Sequence, residues 1–449
     1  MYDMKKSVAL ILVLALAFAL ASCAGSGKQN GGDTKPADNN AAPILSADIA
    51  VGDKVAMGTL DGKTLSWTAI SKGVGTALLL SDCVVARHVF NEDDNRYAHW
   101  KDSAIRAYLN GEFFDTVFND AERALIAEAE IKSTCFDFDT YRTFSDYTED
   151  KVFLLSCTEF AKYVMAIRDF NYGVPTQAVL DDKIYMAEVD GSDTVKQACG
   201  WALRDDGEQE MGNCLEIASY DGNVSYYGNE KTIRQGVRPA MWVYTDKELA
   251  DAWAAGTAEM PADDALNAKI AGWKIGDDVS FGITYLRDTS QGAKDVTWKV
   301  LDETDDAFLL FSDEILGGEH FADSNDESVT WATSIVRQFM NGDEFINEYF
   351  DPWERAKIKL THHATCGGSD PWDVDPGPET DDYLFLLDRE EIEKYFPNEA
   401  DRVIPETPYW LRSPDFVKGW FNYVNEIGSI SQNDAPHYYG LRVAMWISK

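Results

Sequence analysis

The chain has 449 residues, room for about three domains at ~150 residues each, and sets 40 Lys plus Arg against 77 Asp plus Glu for a net charge of −37. So acidic a surface repels phosphate, which excludes nucleic-acid binding and disfavours docking on an anionic membrane face. With 45% hydrophobic and 12% aromatic residues, the chain is rich enough in core-forming side chains to be globular rather than disordered.

Lys5-Lys6 opens a secretion signal, followed by the apolar run Val8 to Leu20. That run is too short to span a bilayer, which takes about 20 residues, and it suits a signal-peptide core. Leu20-Ala-Ser-Cys23 follows at once and resembles the bacterial lipobox, in which cleavage before the cysteine leaves it as the lipid-modified terminus. The expectation is a signal peptide over 1–22, lipidation at Cys23, and a tether over 23–47 rich in Gly, Ser, Asn and Asp. Plain secretion with a chance cysteine is the alternative. No later stretch reads as a membrane span.

The remainder is one module written twice. Val51-Gly-Asp-Lys-Val-Ala-Met-Gly58 recurs as Ile275-Gly-Asp-Asp-Val-Ser-Phe-Gly282, and Trp67-Thr-Ala-Ile70 as Trp298-Lys-Val-Leu301. Trp100 to Gly111 recurs as Trp331 to Gly342, Glu122-Arg-Ala as Glu354-Arg-Ala, and Val152-Phe-Leu-Leu155 as Leu384-Phe-Leu-Leu387. Trp201-Ala-Leu-Arg204 answers to Trp410-Leu-Arg412, and Gly236-Val-Arg-Pro-Ala-Met-Trp242 to Gly440-Leu-Arg-Val-Ala-Met-Trp446. This predicts modules at 48–245 and 271–449, joined over 246–270 by a short helix and linker.

Within each module the pattern is α+β. Thr64 to Ile70 and Thr76 to Leu80 predict strands. Asp102 to Asn110 predicts a helix with Ile105, Tyr108 and Leu109 on one face, ended by Asn110-Gly111; Val336, Phe339 and Met340 keep that face apolar in the second copy. A helix over Asp120 to Ala127 is expected to start on Asp120, and its counterpart on Asp351-Pro352. Val152 to Leu155 predicts a buried strand, and Thr158 to Met165 a helix capped by Thr158. The closing strands carry Trp242 and Trp446 as structural tryptophans.

The series Trp100-x-x-Ser103, Leu109-Asn110, Phe114, Glu122, Phe153-Leu-Leu-Ser156, then Trp410-Leu-Arg-Ser-Pro414 and Gly236-Val-Arg-Pro-Ala240, resembles the bacterial extracellular family known as domain of unknown function 6273. The resemblance covers nearly all of both modules. The closing Gly-x-Arg with its apolar strand is also similar to the C-type-lectin-like fold. That likeness implies two small antiparallel sheets, flanking helices and a loop-rich face that binds ligands. The first copy departs from the motif with Trp201-Ala-Leu-Arg-Asp-Asp206, and the second with Val443 in place of Pro.

Arg238 and Arg442 either hold an anionic ligand or tie loop carbonyls to the last strand, and the second, structural reading is adopted. The segment 409–439 combines rings and amides, the mixture that sugar and protein surfaces favour. Trp410, Arg412, Trp420, Asn422, Tyr423, Asn425 and Tyr438 are its candidate ligand-binding residues, with Trp201, Arg204, Tyr226 and Tyr227 in the first copy. Oxygen-rich clusters at Glu92–Asn95 and Asp323–Glu327 suit Ca²⁺ in chemistry but match no EF-hand, and solvated turns are the alternative. His362-His363-Ala-Thr-Cys366 offers two imidazoles and a thiol, but its counterpart Ile131-Lys-Ser-Thr-Cys135 lacks both histidines, so strand residues are preferred and no metal or other cofactor is assigned. Cys83 and Cys157 are absent together from the second copy, as are Cys199 and Cys214. This suggests bridges Cys83–Cys157 and Cys199–Cys214, with Cys135 and Cys366 unpaired.

The expected protein is a lipoprotein on the bacterial cell surface, with two non-catalytic modules that bind a glycan or a protein. A structural or assembly protein of the envelope is the second reading, and an enzyme of the formylglycine-generating or glycosidase kind the third.

Overall fold

The computed structural model describes residue 45 and residues 49–449, apart from 93–96, 138, 140–141, 166, 168–169, 190–196, 207–213, 286–292, 365–373 and 375. The signal sequence and Cys23 lie outside the described residues, as does nearly all of the tether.

Twenty-four strands are described. In the first module they are β1 (Lys54–Leu60), β2 (Lys63–Gly73), β3 (Thr76–Ser81), β4 (Ala86–Val89), β5 (Ala129–Asp137), β6 (Arg142–Asp150), β7 (Ala187–Glu188), β8 (Gln197–Ala198), β9 (Trp201–Asp206), β10 (Cys214–Ala218), β11 (Val224–Glu230), β12 (Arg234–Val237) and β13 (Ala240–Tyr244). In the second they are β14 (Asp278–Tyr285), β15 (Ala293–Glu303), β16 (Ala307–Ser312), β17 (Gly318–Glu319), β18 (Thr361–His363), β19 (Thr380–Asp382), β20 (Tyr409–Pro414), β21 (Trp420–Val424), β22 (Ile430–Asp434), β23 (Tyr439–Gly440) and β24 (Ala444–Ser448).

Both modules share the topology of their two main sheets. A four-stranded sheet runs β1-β2-β3-β13 in the first and β14-β15-β16-β24 in the second. A five-stranded sheet runs β11-β10-β9-β12-β4 in the first and β22-β21-β20-β23-β17 in the second. The pairing is antiparallel except where β9 meets β12 and β20 meets β23. The architecture is therefore α+β, with small, mainly antiparallel sheets and short helices. Each module owns a hydrophobic core, built on Trp67, Trp100 and Trp201 in the first and on Trp298, Trp331 and Trp410 in the second. Burying a large side chain of this kind contributes roughly 1.5–3 kcal/mol or more.

The repeated Gly-Asp…Gly motif has a backbone cause. Gly58 and Gly282 adopt positive φ (75° and 74°), and each N–H donates to a carboxylate, Glu122 Oε1 or Glu354 Oε1, at 2.8 Å. A Cβ at either glycine would fall within 3 Å of Phe118 or Phe350. The same glutamates close the capping boxes of the helices Asp120–Arg123 and Pro352–Lys357.

Several local expectations shift by a residue or a turn. The caps are Asn119 and Ser156, one residue before Asp120 and two before Thr158, because each pairs with the Glu three positions on. Asn110-Gly111 does not end its helix: a π-turn over Leu109–Phe113 carries the chain into Phe114–Val117. In the second copy the helix does stop at Met340, and Gly342 caps a new one over Asp343–Tyr349. Tyr108 is half-buried and Phe339 is exposed, edge-on to Phe345. The predicted linker contains two helices, Lys247–Ala254 and Asp264–Ala271, each started by an aspartate side chain. The main boundary between the two compact units falls between Glu259 and Met260, and the second unit comprises Met260–Thr284 and Lys294–Lys449.

Candidate functional site

Buried polar groups must find partners, so the first question is which of them serve the fold in both copies. Asp150 accepts from Trp100 Nε1 (2.8 Å), Arg106 Nε (2.6 Å) and Thr148 Oγ1 (2.6 Å). Asp382 accepts from Trp331 Nε1 (3.0 Å), Arg337 Nε (2.5 Å) and Thr380 Oγ1 (2.8 Å). Asn110 and Asn341 then knit the helix to the buried strand, donating to Val152 O and Leu384 O at 2.8 Å each. Arg238 donates to Ser81 O and Phe170 O; Arg442 donates to Ser312 O and the Tyr409 hydroxyl. Both guanidiniums are buried against aromatic rings, and burial lowers Arg238 to about 10. Half-buried Trp242 and Trp446 sit on the closing strands beside them.

Arg204 and Arg412 belong to this skeleton, against the expectation that they bind ligand. Arg204 is 3% exposed and donates to Lys132 O, Leu154 O and both oxygens of Glu159. Arg412 is 4% exposed and paired at 2.9 Å with both Asp388 and Glu391. Burial raises the Glu391 carboxyl, and Arg412 opposes that shift. Neither guanidinium is available to a solute.

Trp201 and Trp410 are likewise corrected. Both are 0% exposed, but on opposite faces: Trp201, like its structural counterpart Tyr409, packs against the buried arginine of its module, whereas Trp410 faces Phe321 and its Nε1 donates to Glu319 O. Asn422 is buried and donates to Pro414 O. Asn425 is committed to its turn, accepting from the N–H groups of Ile427 and Ser429. Trp420 is half-buried on β21. The side chains of Tyr226 and Tyr227, on β11, lie outside the described ones.

What the second module does present is a tyrosine platform. Tyr423 (β21) and Tyr439 (β23) stack with centroids 4.5 Å apart and an interplanar angle of 30°. Trp410 is their floor, 4.7 Å from Tyr439 and 6.1 Å from Tyr423. Both tyrosines are half-buried, Asn433 Nδ2 donates to the Tyr439 hydroxyl at 2.7 Å, and His437 pairs with Asp434 at the rim. Tyr438, 66% exposed, stands beside them over Gly318. Composition of the segment pointed to this face, but Tyr439 and Asn433 emerge as central only once β23 is laid against β20.

The first module has a buried charged cluster with no counterpart in the second. Asp206 Oδ1 pairs with Lys231 Nζ at 2.6 Å, and Oδ2 accepts from His99 Nδ1 at 2.6 Å and from Phe136 N–H at 3.0 Å. Lys231 is fully buried and also donates to Ala98 O. Cys135 closes the group: its Sγ, a ring nitrogen of His99 and an Asp206 oxygen lie within 4.8 Å of one another. Burial, then Asp206, Asp146 and Asp205, push the Cys135 thiol far up, so it stays protonated. Neighbouring Asp205 is also raised by burial, opposed by Arg204 and the N–H groups of Thr134 and Cys157. Nothing in the sequence flags Lys231, because lysine is expected at the surface.

The other candidates resolve locally. Asp323 accepts from His320, and Asp326 accepts from Ser328, which lowers the Asp326 carboxyl. The 93–95 part of the earlier acidic cluster lies outside the described residues. His362 is exposed and pairs with Asp381, whereas His363 is buried against Phe385 and burial lowers it to about 4. Cys366 lies outside the described residues. The expected bridges are both overturned. Cys83 is disulfide-bonded, but Cys157, Cys135 and Cys199 are thiols. The Cys157 N–H is spent on Asp205, and Cys199 turns its sulfur to Gly173 O at 3.4 Å. No helix among the described residues is long and apolar enough to cross a membrane.

The chain is thus a tandem α+β protein with one internally duplicated polar skeleton. The profile of the family described as "Domain of unknown function (DUF6273)" matches residues 74–245 and 305–449, one segment in each module, and the chain belongs to that family. No curated protein and no solved structure matches it.

Proposed function

We propose that this is a lipoprotein of the bacterial cell surface, anchored through Cys23, whose two C-type-lectin-like modules bind an extracellular ligand without chemistry. The ligand class favoured is a glycan. The observation that carries the reading is the half-exposed Tyr423–Tyr439 pair, stacked at 4.5 Å over Trp410 with the Asn433 amide beside it. A rigid pair of rings offers contact area at low entropy cost, and adjacent amides orient hydroxyl groups. The lipobox-like Leu20-Ala-Ser-Cys23 and the polar tether after it support display outside the cell.

The test is a glycan array read with the full chain, followed by titration of any hit. Each ring contributes about 0.5–1.5 kcal/mol to stacking, so Tyr423→Ala/Tyr439→Ala is expected to weaken binding at least about fivefold. Arg412→Lys, at a buried residue, changes stability instead. An array without signal, or a hit whose affinity ignores the double variant, overturns the reading; capture of a protein ligand on the same rings replaces only the glycan.

A further inference from the structure

The buried cluster of the first module has the composition of a transition-metal site. We propose that His99, Cys135 and Asp206 bind one divalent ion of the Zn²⁺ class, independently of the tyrosine platform.

Three donors of different chemistry converge there: imidazole nitrogen, thiol sulfur and carboxylate oxygen, all within 4.8 Å of one another. Zinc bonds nitrogen and oxygen at about 2.0–2.2 Å and sulfur at about 2.3 Å, so its ligand atoms sit roughly 3.3–3.8 Å apart. The His99–Asp206 hydrogen bond (2.6 Å) opens by about an ångström to admit the ion, and the sulfur, within 4.8 Å of both, adjusts to the same spacing. Nitrogen and sulfur donors select a borderline ion over Ca²⁺ or Mg²⁺, which take all-oxygen shells.

The surroundings hold the donors in place. The Phe136 N–H and Lys231 fix the Asp206 carboxylate from the protein side, as outer-shell partners of metal ligands do. Binding the ion displaces the Cys135 thiol proton to solvent, and the resulting thiolate and the Asp206 carboxylate together balance the 2+ charge, leaving Lys231 as the residual charge. His99 is the member that reaches solvent, at 13% side-chain exposure against 3% for Asp206, so it marks the entry path and the fourth position. Three ligands with an open position is an established zinc geometry.

The second module lacks two of the three ligands, His99 and Asp206, which makes it the internal control. Trp100 corresponds to Trp331, placing Thr330 at the position of His99. Arg204 corresponds to Arg412, placing Pro414 at the position of Asp206. Asn91 N–H donates to Lys231 O, as Ala322 N–H does to Ala435 O, so Lys231 is replaced by Ala435. Three members of the cluster have therefore changed together.

The full chain, purified and stripped with a chelator, is titrated with Zn²⁺ and separately with Co²⁺. One equivalent is expected to bind below micromolar concentration, with a thiolate-to-cobalt charge-transfer absorption. Cys135→Ser and His99→Gln are each expected to weaken binding at least tenfold, with the near-ultraviolet absorption lost in Cys135→Ser. Absence of saturable binding in the micromolar range overturns the proposal. So does binding that survives both substitutions, or that is lost only in His362→Ala. Where Cys135→Ser fails to fold, a wild-type cobalt spectrum without thiolate absorption overturns it as well.

Discussion

The two modules agree to the level of single hydrogen bonds around Asp150 and Asp382, and diverge beside β9 and β20. There the first module buries Lys231 against Asp206, and the second has Ala435 and Pro414. On the neighbouring strands the second module opens a Tyr423–Tyr439 platform. What recurs in both copies answers the demands of the fold, since each copy must satisfy the same buried tryptophan N–H and helix end. What does not recur is where the copies are able to differ in function. By that criterion the arginines, which chemistry alone makes attractive as anion binders, are structural. The less conspicuous lysine and tyrosines are the candidates.

The sharpest way to break the equivalence is to remove the shared carboxylate. Asp150 and Asp382 are both fully buried at the side chain, and each faces an arginine. Asp150→Ala and Asp382→Ala are each expected to cost about 3–5 kcal/mol, because an arginine and an indole N–H lose their acceptor. Denaturant unfolding followed by tryptophan fluorescence measures both, and losses differing by more than about 1–2 kcal/mol would mean that the skeletons are not equivalent.

The divergent cluster comes next. Lys231→Met leaves Asp206 buried without its cation and is expected to destabilise the first module by about 3 kcal/mol. The double variant Asp206→Asn/Lys231→Met is expected to recover most of that, since removing both charges removes the desolvation cost as well. A double variant as unstable as the sum of its parts would show that the pair is not a closed unit. Ala435 supplies no such pair, so the effect belongs to the first module alone.

A third test separates the copies by pH. His363 is buried against Phe385, and burial lowers it to about 4, whereas its structural counterpart is the equally buried Ile131, because Ala129 pairs with Asp150 as Thr361 does with Asp382. In the unfolded chain a histidine titrates near 6.5, so between about 6.5 and 4 the unfolded state binds the extra proton. Stability is therefore full above that window and falls as the pH drops through it, by on the order of 2–3 kcal/mol. His363→Leu is expected to flatten this slope in the second module, and an unchanged slope would assign it to other groups.

Much of the fold was legible because duplication gives each pattern a second witness. Shared glycines and capping glutamates marked real elements, and the two arginines Arg204 and Arg412 do correspond, but the residue matching Trp201 is Tyr409 and not Trp410. The candidate site was less so. Aromatic composition located the right segment but not which rings reach solvent. The counterpart of Trp201 is Tyr409, which faces the buried Arg442, so Trp410 falls on the opposite face, beneath the platform beside its cross-strand partner Tyr423. Lys231 was hidden because burial of a charge depends on a partner far away in sequence. The cysteines misled because joint absence from one copy says nothing about distance, and a disulfide needs Cα atoms about 4.4–6.8 Å apart.

The smallest predicted effect tests a helix that the copies build differently. Gly111 lies inside the π-turn that carries the first helix onward, without positive φ, and a Cβ there meets nothing within 4 Å. Alanine restricts the unfolded chain and fits the helical backbone, so Gly111→Ala is expected to stabilise the first module by about 0.4–1 kcal/mol. Gly342 occupies the matching position but caps a new helix in extended conformation (φ −71°, ψ 146°), where a Cβ approaches Gln338 O and Phe339 O at 3.3 Å. Gly342→Ala is therefore expected to give no gain, because crowding the two carbonyls offsets the entropy. Equal stabilisation by both substitutions, read as a shift in denaturant midpoint, would mean that the two copies share one helix geometry after all.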